Sequence, residues 1–175
     1  MKSIFSFPNP VNDAAARLVA LGVVTLSLLA LATGWAWLLL PLTYGFAARV
    51  AAGPRFSPLG RLAVYVGSRR FVSWQRFVAG PPKRFAQSIG LAFSLAATLT
   101  WVSAGWSSAR WILLPLVLAA SLEGFVGFCL GCTIFGGLIR LGLVPESVCE
   151  DCGDLAARYR RLGVSAAVGS DVSDA

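Results

Sequence analysis

The sequence predicts an all-α membrane protein: four transmembrane helices as two hairpins in a parallel pseudo-repeat, with a short amphipathic interfacial helix between them. Three observations lead there. Of 175 residues, 57% are hydrophobic and 13% charged, against roughly a quarter charged in typical soluble domains, too few to clothe a water-facing surface. The apolar residues gather in four runs, each near or above the roughly 20 residues that cross a bilayer core of about 30 Å. All but one of the fifteen Lys and Arg fall in blocks at one set of run ends, and most tryptophans fall at the other.

The first run is Asp13 to Thr33. The segment before it, MKSIFSFPNPVNDAAAR, has no small-residue cleavage site after a short apolar core, so this helix is expected to be retained rather than removed as a signal. A very short link around Gly34 leads to the second run, Trp35 to Ala52. The third is Phe85 to Ala104, and a link from Gly105 to Ser108 leads to the fourth, Ala109 to about Arg140. The fourth exceeds one crossing, so its surplus is expected to project past the bilayer or kink near Gly124, Gly127 and Gly131.

Between the hairpins, Gly53 to Arg84 is basic and aromatic. Ser57 and Pro58 suit the cap and first turn of a helix, and Leu59, Leu62, Ala63 and Val66 would share one face. Such a helix lies on the inner leaflet, with Arg61, Arg69, Arg70 and Arg76 near anionic headgroups. Residues 1–153 form the expected membrane domain with a cysteine cluster, and 154–175 a cytoplasmic tail that is partly disordered, small and polar from Gly163 on.

Arg110 alone among the basic residues flanks the two short links. By the positive-inside rule the opposite helix ends, and both termini, are expected to be cytoplasmic. Trp35, Trp37, Trp101, Trp106 and Trp111 mark the other face, as an interfacial belt would. A basic excess also suits nucleic acid. Here its blocks between apolar runs make the lipid bilayer the expected partner and nucleic acid not; a homo-oligomer is compatible with the same pattern.

Trp37-Leu-Leu-Leu-Pro-Leu42 recurs as Trp111-Ile-Leu-Leu-Pro-Leu116, 74 residues later, so Pro41 and Pro115 match and each second helix is expected to bend there. Two crossings per unit make the repeat parallel, as in some transporters. The same offset sets Arg49 on Glu123. A lone carboxylate inside a span costs at least about 2.5 kcal/mol, so Glu123 and Arg49 are expected to form a buried ion pair, either fixing helix register or serving an ion path. A second expected pair is Asp13 with Arg84.

No histidine occurs, which removes imidazole as a ligand or as a base near neutral pH. The chemistry must then rest on thiols, carboxylates or a bound cofactor. Cys129-Leu-Gly-Cys132 and Cys149-Glu-Asp-Cys152, separated by sixteen residues, have the spacing of a tetrathiolate zinc site. Gly131 would leave room for a metal or for another backbone. The same pairs suit reversible disulfide chemistry with a thioredoxin-like partner. Glu150 and Asp151 would raise the thiol pKa of the second pair, and the apolar flanks of the first disfavour a thiolate unless a metal or a cation compensates.

The run Phe7-Pro-Asn-Pro-Val-Asn12, the segment Gly80-Pro-Pro-Lys-Arg-Phe-Ala86, and Leu122-Glu123, Gly127-Phe-Cys-Leu-Gly-Cys132, Val148-Cys149 and Cys152 resemble the bacterial membrane proteins catalogued as domain of unknown function 4395. The likeness covers about residues 5 to 153. It implies a membrane protein in which the four cysteines matter. Relatives are associated with thioredoxin-like and sulfurtransferase-like proteins, so the resemblance implies partners of that kind. In outline the chain is also similar to four-helix membrane proteins of the DoxX and MauE type, a likeness of fold that carries no function.

Three functions follow as expectations. The first is thiol or sulfur redox work at a cytoplasmic-face site, with Cys129 and Cys132 as the membrane-side pair and Cys149 and Cys152 as the exchanging pair. The second is a zinc clamp made by the same four cysteines on a transporter-like or scaffold bundle. The third is a solute carrier using Glu123 and Arg49. Whether the chain is an enzyme stays open.

Overall fold

A computed structural model describes residues 11–53, 56–70 and 77–144. Its order is β1 (Val11–Asn12), α1 (Asp13–Thr33), a 3-10 turn (Ala36–Leu38), α2 (Leu39–Ala52), α3 (Pro58–Arg70), β2 (Phe77–Val78), α4 (Gly80–Ala104), α5 (Trp106–Ser121), a π-helical turn (Leu122–Val126) and α6 (Leu130–Arg140). Three helices are long and apolar enough to cross a membrane: Asp13–Thr33, Gly80–Ala104 and Trp106–Val126, the last counted through the π turn. Ala36–Ala52 and Leu130–Arg140 are apolar but shorter than 18 residues.

Local chemistry sets the helix ends. Asn12 caps α1, its Oδ1 accepting from the N–H of Ala14 at 2.9 Å and of Ala15 at 3.4 Å, so two of the otherwise unpaired first-turn donors are satisfied. Gly34 closes α1 at φ 72°, its N–H donating to the Ala30 carbonyl at 2.9 Å, a left-handed position that glycine adopts without strain. Pro41 falls in the first turn of α2, where its missing N–H breaks no helical bond. Pro115 instead lies inside α5.

The helix expected to start at Ser57 and Pro58 forms as α3, and the Ser57 hydroxyl accepts the Gly60 N–H at 3.2 Å as its cap. Its inner face differs by one position from the sequence pattern. Ala63 is buried and Leu59 lies over Gly22 of α1, whereas Leu62 is 60% exposed.

The core is a set of interlocked helices. α4 packs on α2, α5 and α6, while α1 packs on α3, α5 and the π turn. Leu39, Ala97 and Leu113 are fully buried at its centre. The Phe46 ring of α2 rests on Gly90 of α4 where no β-carbon would fit, and the Thr43 and Thr98 hydroxyls bond at 3.0 Å across the same helix pair. The outward faces carry Leu99, Val102, Trp111 and Leu118, all well exposed, as expected of helices that meet lipid.

Two features position the ends of α1, α4 and α6. The antiparallel pair β1–β2 sets Val11 opposite Val78 and Asn12 opposite Phe77, so the first turns of α1 and α4 start side by side. At Gly131 a β-carbon would stand 2.6 Å from the Ala86 Cα. Of the two uses read for this glycine, it is the neighbouring backbone, α4, that takes the space. Gly131→Val is expected to force α6 off α4 and to cost about 1–3 kcal/mol, the usual range for overpacking; thermal unfolding of the detergent-solubilised protein measures it.

Candidate functional site

The fourth apolar run does not continue as one helix. α5 widens into the π turn at Leu122–Val126, Gly127 takes φ 76°, and the chain restarts as α6 at Leu130. The kink foreseen among the glycines is thus a complete break. The Gly127 N–H donates to the Glu123 carbonyl at 3.1 Å, and the Phe128 N–H to that of Leu122 at 3.1 Å. A β-carbon on Gly127 would strike the Arg17 guanidinium, so both the backbone angle and the neighbour demand glycine.

The break changes what Cys129 is. It is no longer a mid-helix residue but the N-cap of α6, at φ −88° and ψ 102°, and its Sγ accepts the Cys132 N–H at 3.3 Å. Backbone donors and the helix dipole there favour a negative sulfur. Both thiols are free and half-buried.

A charge cluster stands beside them. Lys83, in the first turn of α4, is 5% exposed. Its Nζ lies 2.7 Å from Glu123 Oε1 and 3.1 Å from Asp13 Oδ1, and Asp13 Oδ2 also accepts from Arg17 Nε at 3.1 Å. Two carboxylates and two cations balance. An isolated buried ion would be expensive, and mutual pairing offsets much of that cost. Asp13 is well placed at an N-terminus, while Lys83 opposes the dipole of its own helix and depends on the carboxylates for compensation.

This arrangement corrects the expected ion pairs. Glu123 takes Lys83, not Arg49, as its contact partner. Arg49 instead donates from Nε to Gln87 Oε1 at 2.8 Å and from Nη1 to the Ser57 hydroxyl at 3.2 Å, with its Cζ 4.6 Å from the Phe46 ring centre. A repeat offset equates depths along two helices and does not make their side chains touch. Asp13 likewise pairs with Lys83 and Arg17 rather than Arg84, whose Nε donates to the Val50 carbonyl at 3.1 Å. Successive helical residues point about 100° apart, so the inward place beside Asp13 goes to Lys83.

Asp13, Arg17, Lys83, Cys129, Cys132 and Thr133 share the lining of a cavity of about 370 Å³. Both cysteines lie beyond the span that ends at Val126. The Cys129 thiol is pulled below its ordinary value of 9.0, first by the hydrogen bond from the Cys132 thiol and then by Lys83 and the Cys132 N–H, against burial and Glu123. Cys132 is pushed far up by its hydrogen bond to Cys129 and by burial. The pair is therefore asymmetric, with the thiolate on Cys129. The cation that the apolar flanks required is Lys83, which sequence reasoning had not assigned to the thiols; its position inside Gly80-Pro-Pro-Lys-Arg was the available signal.

Alkylation of Cys129 by iodoacetamide should accordingly reach half its maximal rate below pH 9, while Cys132 reacts more slowly throughout, as mass spectrometry of timed digests can read. The linkage sign agrees. Because folding lowers this thiol's pKa, its contribution to stability is complete above the unfolded value and is lost as pH falls through the folded one.

Cys149 and Cys152, foreseen as the second pair, lie outside the described residues. Among the described residues no group of three or more Cys, Asp or Glu side chains is placed to hold a metal; a tetrathiolate centre needs that second pair.

The model of a protein family described as "Domain of unknown function (DUF4395)" matches residues 11–140. The chain belongs to this family. The DUF4395 match spans Asp13, Lys83, Glu123, Cys129 and Cys132, whereas Cys149 and Cys152 fall beyond it. No curated protein and no solved structure matches the chain.

Proposed function

We propose that this DUF4395 protein is a bacterial inner-membrane thiol–disulfide exchange protein, with Cys129 as attacking thiol and Cys132 as resolving thiol. One observation carries it: the Cys129 sulfur caps α6, bonded by the Cys132 N–H at 3.3 Å, in a cavity shared with a buried lysine. That is the environment in which a thiolate persists near neutral pH.

The exchange runs as follows. Cys129 thiolate attacks one sulfur of a partner's disulfide, forming a mixed disulfide and releasing one partner thiolate. Cys132 then loses its proton and attacks the Cys129 sulfur, closing a Cys129–Cys132 disulfide and releasing the second partner thiolate. Two electrons pass to the partner, whose thiolates take up two protons. The roles expected from the sequence, with Cys149 and Cys152 as the exchanging pair, are thereby reversed: as a dithiol these two reduce the Cys129–Cys132 disulfide by the same exchange. A thioredoxin-like or sulfurtransferase-like protein is the partner that such chemistry suits.

The setting proposed is four spans. Ala36–Ala52 crosses as the second, its length of about 25 Å at 1.5 Å per residue accommodated by local bilayer thinning. The blocks of Lys and Arg support a cytoplasmic location for both termini and for the cysteines, and the repeated Trp37 and Trp111 segments support a parallel pair of hairpins. A second reading, a zinc clamp through Cys129, Cys132, Cys149 and Cys152, is favoured by the spacing of the four cysteines.

Thiol counting and elemental analysis on the full chain in detergent separate the two. The exchange reading requires one disulfide per chain to form on mixing with an oxidised thioredoxin-like protein, at Cys129–Cys132 or, after internal exchange, at Cys149–Cys152, with one partner disulfide reduced per disulfide formed. One zinc per chain that blocks all four thiols, together with loss of stability on chelation, would overturn it in favour of the clamp.

A further inference from the structure

A second cavity, of about 320 Å³, lies between α1, α2 and α3. Its walls are apolar, with Val23, Leu26, Pro41, Leu42, Leu59 and Leu62, and Arg49 and Ser57 supply its polar groups. Arg49 is 5% exposed, and its Nη2 has no hydrogen-bond partner among the described residues. The contacts that hold it, Gln87, Ser57 and the Phe46 ring, are all uncharged. Among the described residues no carboxylate lies within ion-pair distance; Glu123, which is bonded to Lys83, acts on it through space without contact.

A buried guanidinium left with an open amino group is costly unless an anion completes it. The residues around it are arranged for one. Nε and Nη1 are fixed by Gln87 and Ser57, so the plane of the fork is set, and a carboxylate or phosphate oxygen can accept from Nη2. Gly45 lines the cavity beside the guanidinium, and a β-carbon there would stand 3.2 Å from Nη1. Ser57 and Pro58 begin α3, whose positive end adds to the attraction.

A freely soluble anion suits this cavity poorly, because every other wall is hydrocarbon. The cavity reaches the surface at Leu62, 60% exposed, and α3 also exposes Val64 and Tyr65. The volume falls at the lower end of small-molecule sites, room for a headgroup and the first part of a chain whose remainder leaves past α3. From these observations we propose that Arg49 and the α1–α2–α3 cavity bind an amphiphile with an anionic head, a carboxylate or phosphate on an acyl chain. The site stands independently of the thiol chemistry.

Binding to the detergent-solubilised full chain tests it, with four probes: oleate, a single-chain lysophosphatidate, the uncharged methyl oleate, and inorganic phosphate. Oleate and lysophosphatidate should both bind and raise the unfolding temperature; methyl oleate and inorganic phosphate should bind at least about tenfold more weakly, since each lacks half of the recognition. Arg49→Gln should weaken oleate by a similar factor. Should that variant not fold, Leu62→Trp, at an exposed position, should block the chain and weaken both amphiphiles while sparing the fold. Equal binding of oleate and methyl oleate, equal binding of inorganic phosphate and lysophosphatidate, or full oleate affinity in Leu62→Trp would each overturn the proposal. Native mass spectrometry of the protein released from vesicles containing phosphatidylglycerol shows whether a membrane lipid fills the site as oleate does.

Discussion

Cys132→Ser should trap a mixed disulfide between Cys129 and an oxidised thioredoxin-like protein, whereas Cys129→Ser should trap almost none. The asymmetry follows from the fold. Cys129 caps α6 and receives the Cys132 N–H at 3.3 Å, so its sulfur carries the charge and attacks; Cys132 is pushed far up by its hydrogen bond to Cys129 and by burial, so it acts after the first bond has formed. Attack rate depends on the thiolate fraction, and an alcohol at position 129 supplies none, so the yield of trapped complex should fall by well over an order of magnitude. Cys132→Ser leaves the attack intact and removes the group that would release the partner. The serine hydroxyl can still donate to the Cys129 sulfur in place of the thiol, so the attack at pH 7 should keep most of its rate while the complex persists. Non-reducing gels with mass spectrometry of the linked peptides read both. If the two variants trap equally, the assignment of attacking and resolving roles fails.

The helical frame was largely legible in the sequence, because it is written in residue type. Gly34 and Gly105 end helices where the apolar runs pause, and Ser57 with Pro58 starts α3 as their chemistry requires. The site was legible in its members and not in its geometry. Gly127 was visible as a kink position, yet the run from Phe125 to Cys132 stays apolar across it, and apolar continuity does not distinguish one helix from two. The left-handed turn at Gly127 moves Cys129 from the flank of a helix to its N-terminus, and with that move the thiol gains backbone donors and a lysine.

The ion pairs failed for a related reason. Matching segments give positions along an axis; contact also needs rotation about it. Arg49 and Glu123 can share a depth and still face different neighbours, and aligning Gly34-Trp35 with Gly105-Trp106 sets Asp13 on Arg84, whereas the adjacent Lys83 is the one that points inward. The two-residue β1–β2 pairing, which sets Asn12 against Phe77, aligns the starts of α1 and α4 and so decides that Lys83 meets Asp13. A contact this short in sequence leaves almost no periodic signal.

The largest stability loss is expected at Lys83. Replacing it by methionine keeps the length and apolar stem of the side chain but leaves Asp13 and Glu123 without the ammonium that now stands 3.1 and 2.7 Å from them. Breaking one partner out of a buried ionic group typically costs about 3–5 kcal/mol, because the remaining charges are neither solvated nor paired. Arg17 still covers one oxygen of Asp13, so the burden falls mainly on Glu123. Lys83→Met combined with Glu123→Gln should therefore recover most of the stability, since a neutral amide in that place needs no counter-ion, whereas Lys83→Met combined with Arg49→Gln should recover none. Thermal unfolding in detergent gives the order of the three variants. The thiols supply a second readout: Lys83 lowers the Cys129 pKa while Glu123 raises it, so Lys83→Met should move the pH midpoint of Cys129 alkylation upward, and adding Glu123→Gln should move it part of the way back. If Lys83→Met costs little while Arg49→Gln costs about 3–5 kcal/mol that Glu123→Gln recovers, then Arg49, and not Lys83, is the cation on which Glu123 depends.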